Sequence, residues 1–283
     1  MPVDHRSIVT RLFALVVSAA VVLDTTGSHP PRPGRVANAA ATQPVVRPQS
    51  SHCGFAEAPV VVKRSGSAVL QFWTVAERSV LRPADLPRDS AFLEFRRTIE
   101  RAGADLLRPV ADPPRIRGAS DAEVWRLEAR NEELAYSGRA GLVRPARCLD
   151  ALLFAYQNTR YPQLSHPTEF IASILRREVN GEWLLRIYFS ASDMLFPPQD
   201  YYGFDEIEKE LAAGWEFWAV LHNHTVRSYR GALALGVPAP STSDVDLLRS
   251  LVGNLGLRNA WITNGFFTIE IPAVALDQYV GRP

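Results

Sequence analysis

At 283 residues the chain has room for one large domain or two modest ones. Hydrophobic residues make up 47% and charged residues 22%, with Lys+Arg at 31 and Asp+Glu at 30, which is ordinary for a globular protein and excludes a disordered polyelectrolyte. The formal charge of +1 also argues against wholesale wrapping of nucleic acid, which needs a concentrated basic surface.

The N-terminus reads as an address. Arg6 and Arg11 precede the apolar run from Leu12 to Leu23, which spans roughly 18 Å as a helix, short of the ~30 Å hydrocarbon core. Residues 1–23 therefore have the shape of a signal peptide for export to a periplasm or the exterior, with cleavage as late as Ala37-Asn38-Ala39. An uncleaved N-terminal membrane anchor is the alternative. No later segment is apolar enough for a stable span. Residues 24–51 hold Pro30, Pro31, Pro33, Pro44 and Pro48 and read as a disordered Pro/Ala-rich spacer.

Residues 52–147 read as an α+β accessory region. Val60 to Val62 and Ala68 to Trp73 are strand-like, and a helix follows Asp89-Ser90 with Phe92, Phe95, Ile99, Ala102 and Leu106 on one stripe. The charged, weakly striped run from Ser120 to Ser137 is expected to be a helix on the outside. Cys53 and Cys148 are the only thiols. They are either a disulfide closing a long loop or two unrelated buried cysteines, and sequence does not decide between them.

The segment 148–283 reads as a mixed α/β unit. A short buried helix is expected from Cys148 to Tyr156. Glu169 to Leu175 and Trp183 to Phe189 are strands about an Asn180-Gly181 hairpin turn. A helix over 205–213 and a strand over 215–222 follow, with Trp215, Phe217, Ala219 and Leu221 on one face and Trp218, Val220, His222 and His224 on the other. A helix then runs from Asp244 to Leu255, stopped by Gly256, and Asn264-Gly265 turns a second hairpin.

The chemistry concentrates in Val220-Leu221-His222-Asn223-His224 and Ser241-Thr242-Ser243-Asp244. Two histidines two apart on a strand point to the same side and can share one ion. An Asp in the first turn of the next helix can add a third ligand, leaving the fourth position open as a catalytic zinc site requires. The nuclease suggested by the letters His-Asn-His needs a ββα layout and a basic surface that the sequence does not display. His166 reads as a solvated loop histidine.

The order Glu169, His222-x-His224, Ser241-x-x-Asp244 resembles the signature of the JAMM (MPN+/JAB) zinc metalloproteases, and Leu221-His222-Asn223-His224 is similar to the RadC-type version of that motif. The resemblance covers 148–283. It implies a mixed-sheet MPN-like domain with cytidine-deaminase-like layering, Zn²⁺ held by His222, His224 and Asp244, Ser241 stabilising an oxyanion, and Glu169 as general base. It implies hydrolysis of peptide or isopeptide bonds in a peptide or protein substrate, ubiquitin-like or from the cell envelope. The alternative is a non-catalytic MPN-fold scaffold, whose mark is loss of a ligand; none is lost. The sequence departs from the family pattern at Thr225, which stands where a proline is usual, and at Phe170-Ile171-Ala172-Ser173, where glycines are usual. The connection from Thr225 to Pro240 is also longer than usual, and its Arg227, Tyr229 and Arg230 are either a substrate-groove wall or an exposed basic loop.

Overall fold

A computed structural model describes residues 53–81, 85–107, 119–229 and 232–282; the stretches 1–23 and 24–51, read above as a signal peptide and a spacer, lie outside these. A mixed eight-stranded sheet in the order β1-β2-β5-β4-β6-β9-β10-β3 runs through the molecule. Its strands are β1 (Val60–Ser65), β2 (Ala68–Ala76), β3 (Leu142–Pro145), β4 (Phe170–Val179), β5 (Glu182–Ala191), β6 (Glu216–Asn223), β9 (Asn259–Thr263) and β10 (Phe267–Pro272). Neighbours are antiparallel except β6 and β9, which run parallel. A separate antiparallel pair, β7 (Arg227–Tyr229) and β8 (Ala232–Ala234), lies in the long connection.

Helices cover both faces. On one side α1 (Ser90–Arg101) and α3 (Cys148–Arg160) pack on each other and on the sheet. Asp89 caps α1 by accepting from the Phe92 amide at 2.7 Å. Phe92, Phe95 and Ile99 are buried there, each burial stabilising by roughly 1.5–3 kcal/mol. On the other side lie α2 (Ala119–Tyr136), α4 (Phe204–Ala212) and α5 (Thr242–Leu255). Because β6 and β9 are parallel, α5 is the crossover between them, and the carboxyl end of β6 meets the amino end of α5, the usual place for a ligand site in an open α/β sheet. Among the described residues no helix is long and apolar enough to cross a membrane.

Several expectations are revised by long-range pairing. The line drawn at 147/148 does not separate two sheets, since β1, β2 and β3 are strands of the same sheet as β4, β5, β6, β9 and β10. Cys53 and Cys148 are joined in a disulfide with Cα atoms 5.5 Å apart, and Phe55 stacks on Trp73 at 4.4 Å, with Trp73 in turn edge-on to Tyr156 of α3. The charged helix expected outside is docked. Asn131 and Ala135 of α2 are fully buried. The Asn131 carboxamide donates to the Val280 carbonyl and accepts from the Val280 amide. The alternation along β6 also breaks. Ile174 faces Ala219 and Leu175 faces Phe217, so Trp218 is an extra residue and the bulge puts Phe217 on the same side as Val220.

Candidate metal centre

The ladder between β4 and β6 ends with Ile171 opposite His222. Continuing that antiparallel register puts Glu169 across from His224, with both side chains on the α5 face, because strand side chains alternate. The sequence thus brings a carboxylate and two imidazoles together where β4 begins and β6 ends, in the middle of the sheet. Glu169 is only 8% exposed and His222 only 9%.

The third arm comes from α5. Ser241 is its N-cap, accepting from the Asp244 amide at 3.2 Å while the Ser241 amide donates to Asp244 Oδ2 at 2.8 Å. This reciprocal capping box fixes the carboxylate at the helix start. It faces the imidazoles: His224 Nε2 lies 3.1 Å from Asp244 Oδ2, His222 Nε2 lies 3.5 Å from Oδ1, and the two Nε2 atoms are 3.3 Å apart. His224 Nδ1 donates to the Val237 carbonyl at 2.7 Å, which sets the tautomer and turns the Nε2 lone pair inward.

These three groups fit a zinc ion. Ligand atoms ~2.0–2.1 Å from a tetrahedral zinc lie roughly 3.3–3.4 Å from one another, and the observed separations bracket that value. Two imidazoles and a carboxylate, with no thiolate, make three ligands of the kind zinc takes and leave a fourth position unassigned. His224 and Asp244 are partly exposed, so the centre opens to solvent. Among the described residues this is the one group of metal-ligating side chains brought together in this way.

The electrostatics suit a cation. Burial alone pushes the His224 imidazole down, but its bond to Asp244, the charges of Asp244 and Glu169 and the Val237 carbonyl raise it to about 9. Burial opposes ionisation of Asp244, yet His222 and then His224 hold its carboxyl well below the ordinary range.

Several contributors were not visible in the sequence. Gly236 presses on His224: a Cβ there would sit 2.4 Å from the His224 Cβ and 2.7 Å from its carbonyl carbon. The long connection from Thr225 to Pro240 thus braces a ligand through Gly236 and Val237. Only a glycine in that loop, with no periodicity around it, marked the contact. Tyr202, just before α4, has its hydroxyl pKa raised by burial and by the charges of Glu169 and Asp244. Glu132 on α2 is raised mainly by burial, then by Glu128, with the charge of His224 opposing, so the helix assigned to the outside borders the site. Arg227 and Tyr229 belong to β7, and Arg230 lies outside the described residues. His166 is held in its loop, with Nε2 2.7 Å from the Asp193 carbonyl.

Gly236→Ala is expected to displace His224 and weaken zinc binding by ~10–100-fold, the usual loss when a ligand's support is removed; competition against a chromogenic chelator measures it. Ser241→Ala is expected to lower stability by about 1 kcal/mol through loss of the cap, a fall of roughly 2–4 °C in Tm by calorimetry.

Compared with family models, curated proteins and solved structures, the chain gives no match.

Proposed function

We propose that the protein is a zinc-dependent hydrolase of peptide or isopeptide bonds, with an MPN-like, cytidine-deaminase-like layering around the β6–α5 junction. The reading rests on one observation: the His222, His224 and Asp244 ligand atoms lie at the spacing of a zinc tetrahedron. Their order along the chain after Glu169, on the elements the JAMM resemblance implies, supports it.

His222, His224 and Asp244 would hold the ion. Zinc bound there supplies Lewis acidity, polarising a carbonyl and lowering the pKa of water. Glu169, across the sheet from His224 and without a place in the ligand set, takes the proton from the attacking water and returns it to the leaving amine. Ser241 accepts from the Asp244 amide and lies 3.0 Å from the Ser243 hydroxyl; with Ser243 as donor of that contact, the Ser241 O–H is the group that donates to the oxyanion. The substrate is a peptide or protein rather than a nucleic acid. The Cys53–Cys148 disulfide supports an oxidising, exported location.

The test is cleavage of a proteome-derived peptide library, with new amino termini counted by mass spectrometry. Zinc-loaded protein is expected to generate them, chelated protein to generate none, and restored zinc to recover the pattern. Equal cleavage with and without metal would contradict the reading.

A further inference from the structure

The β4–β6 ladder stops at Ile171, two residues short of the proposed base, and a single side chain continues it. The Phe170 amide donates to Asn223 Oδ1 at 2.7 Å, and Asn223 Nδ2 donates to the Thr168 carbonyl at 3.1 Å. Those two backbone groups belong to the peptide units on either side of Glu169. One carboxamide therefore brackets the residue that carries the carboxylate. Asn223 is fully buried, on the opposite side of β6 from His222 and His224.

The surroundings are built to the same end. The Thr168 carbonyl also accepts from Gln163 Nε2 at 2.8 Å, the Thr168 hydroxyl accepts from Gln157 Nε2 of α3 at 2.6 Å, and the Glu169 amide donates to the Leu195 carbonyl at 2.8 Å. Within this network Asn223 alone is covalently next to both histidine ligands. A carboxamide is also the side chain that copies a peptide group, offering a donor and an acceptor on one plane. An Asp offers acceptors only, and a hydroxyl is a single atom.

We propose that Asn223 is a positioning residue: it fixes the backbone on both sides of Glu169 in register with the strand that carries the metal ligands, and so sets where the base carboxylate stands relative to them. This rests on the hydrolase reading above. Asn223 touches neither ion nor substrate and acts through Glu169.

The test uses the full-length chain with Co²⁺ as the probe metal. Parent, Glu169→Gln, Asn223→Ala and Asn223→Thr are loaded with Co²⁺, and the visible absorption band is titrated across the neutral pH range. All four are expected to take up one equivalent with the same band intensity. Glu169→Gln is expected to move the pH midpoint, Asn223→Ala to move it in the same direction by at least half as much, and Asn223→Thr to fall between Asn223→Ala and the parent. Library cleavage by Asn223→Ala is expected to drop ~10–100-fold. A parent-like midpoint for Asn223→Ala, with Glu169→Gln displaced, would overturn the inference and leave the hydrolase reading standing. Should Asn223→Ala not fold, Asn223→Thr decides in its place, because it fills the strand position, and a parent-like midpoint again overturns the proposal. If Glu169→Gln keeps the parent midpoint, or the parent takes up no cobalt, the hydrolase reading fails first and this inference with it.

Discussion

Glu169→Gln is expected to retain bound zinc and lose hydrolysis by ~10²–10⁴-fold, the range a positioned general base supplies. The substitution removes the proton acceptor while keeping the size of the side chain. It keeps the three ligand side chains themselves, since Glu169 lies outside the group that meets at the centre, and removes one of the charges acting on His224. The backbone bonds on either side of Glu169, to Asn223 and Leu195, do not involve the side chain that changes, so the strand entry should persist. Zinc content together with the library cleavage rate checks both halves. Parent-like cleavage would remove Glu169 from the mechanism.

The second large effect concerns the fold. Opening the Cys53–Cys148 bridge, which closes a loop with sequence separation 95, is expected to destabilise the protein by about 4 kcal/mol on chain-entropy grounds, a fall of about 10–15 °C in Tm. Calorimetry with and without reductant measures it. The Cys53→Ala/Cys148→Ala double variant should match the reduced protein. The bond anchors the segment leading into β1 to the first turn of α3, where Cys148 is fully buried. Phe55, stacked on Trp73, holds the same segment more weakly once the bond is gone. A Tm unchanged by reductant would mean that this aromatic packing alone secures the edge of the sheet.

Legibility in the sequence followed the range of the interactions. The Asn180-Gly181 turn was readable because its residues take left-handed φ values of 52° and 78°, which Asn and Gly tolerate best. The end of α5 was readable for the same reason, with Gly256 at φ 70°. That His222, His224 and Asp244 come together was legible because strand alternation and helix capping are local rules, whereas Glu169 was reached only through the JAMM resemblance. What local rules do not carry is pairing. Nothing around Val60 or Leu142 announces that β1 and β3 form the two edges of one sheet. The docking of α2 rests on Asn131, a single carboxamide clasping the backbone at Val280, and a polar residue on a charged helix looks solvated until its partner is seen. The bulge at Trp218 follows from β6 matching β4, not from the β6 sequence alone. Asn223 read as the spacer between two histidines, and its importance lies in Thr168 and Phe170, 55 and 53 residues away.

The central claim is that His222, His224 and Asp244 hold a catalytic zinc ion, and its most direct test is the metal content of the purified full-length chain by elemental analysis. The parent and Glu169→Gln are expected to carry one zinc per chain, and His222→Ala and Asp244→Ala to carry none. Parent protein without zinc, even after incubation with the ion, or zinc retained in full by both ligand variants, would contradict the account.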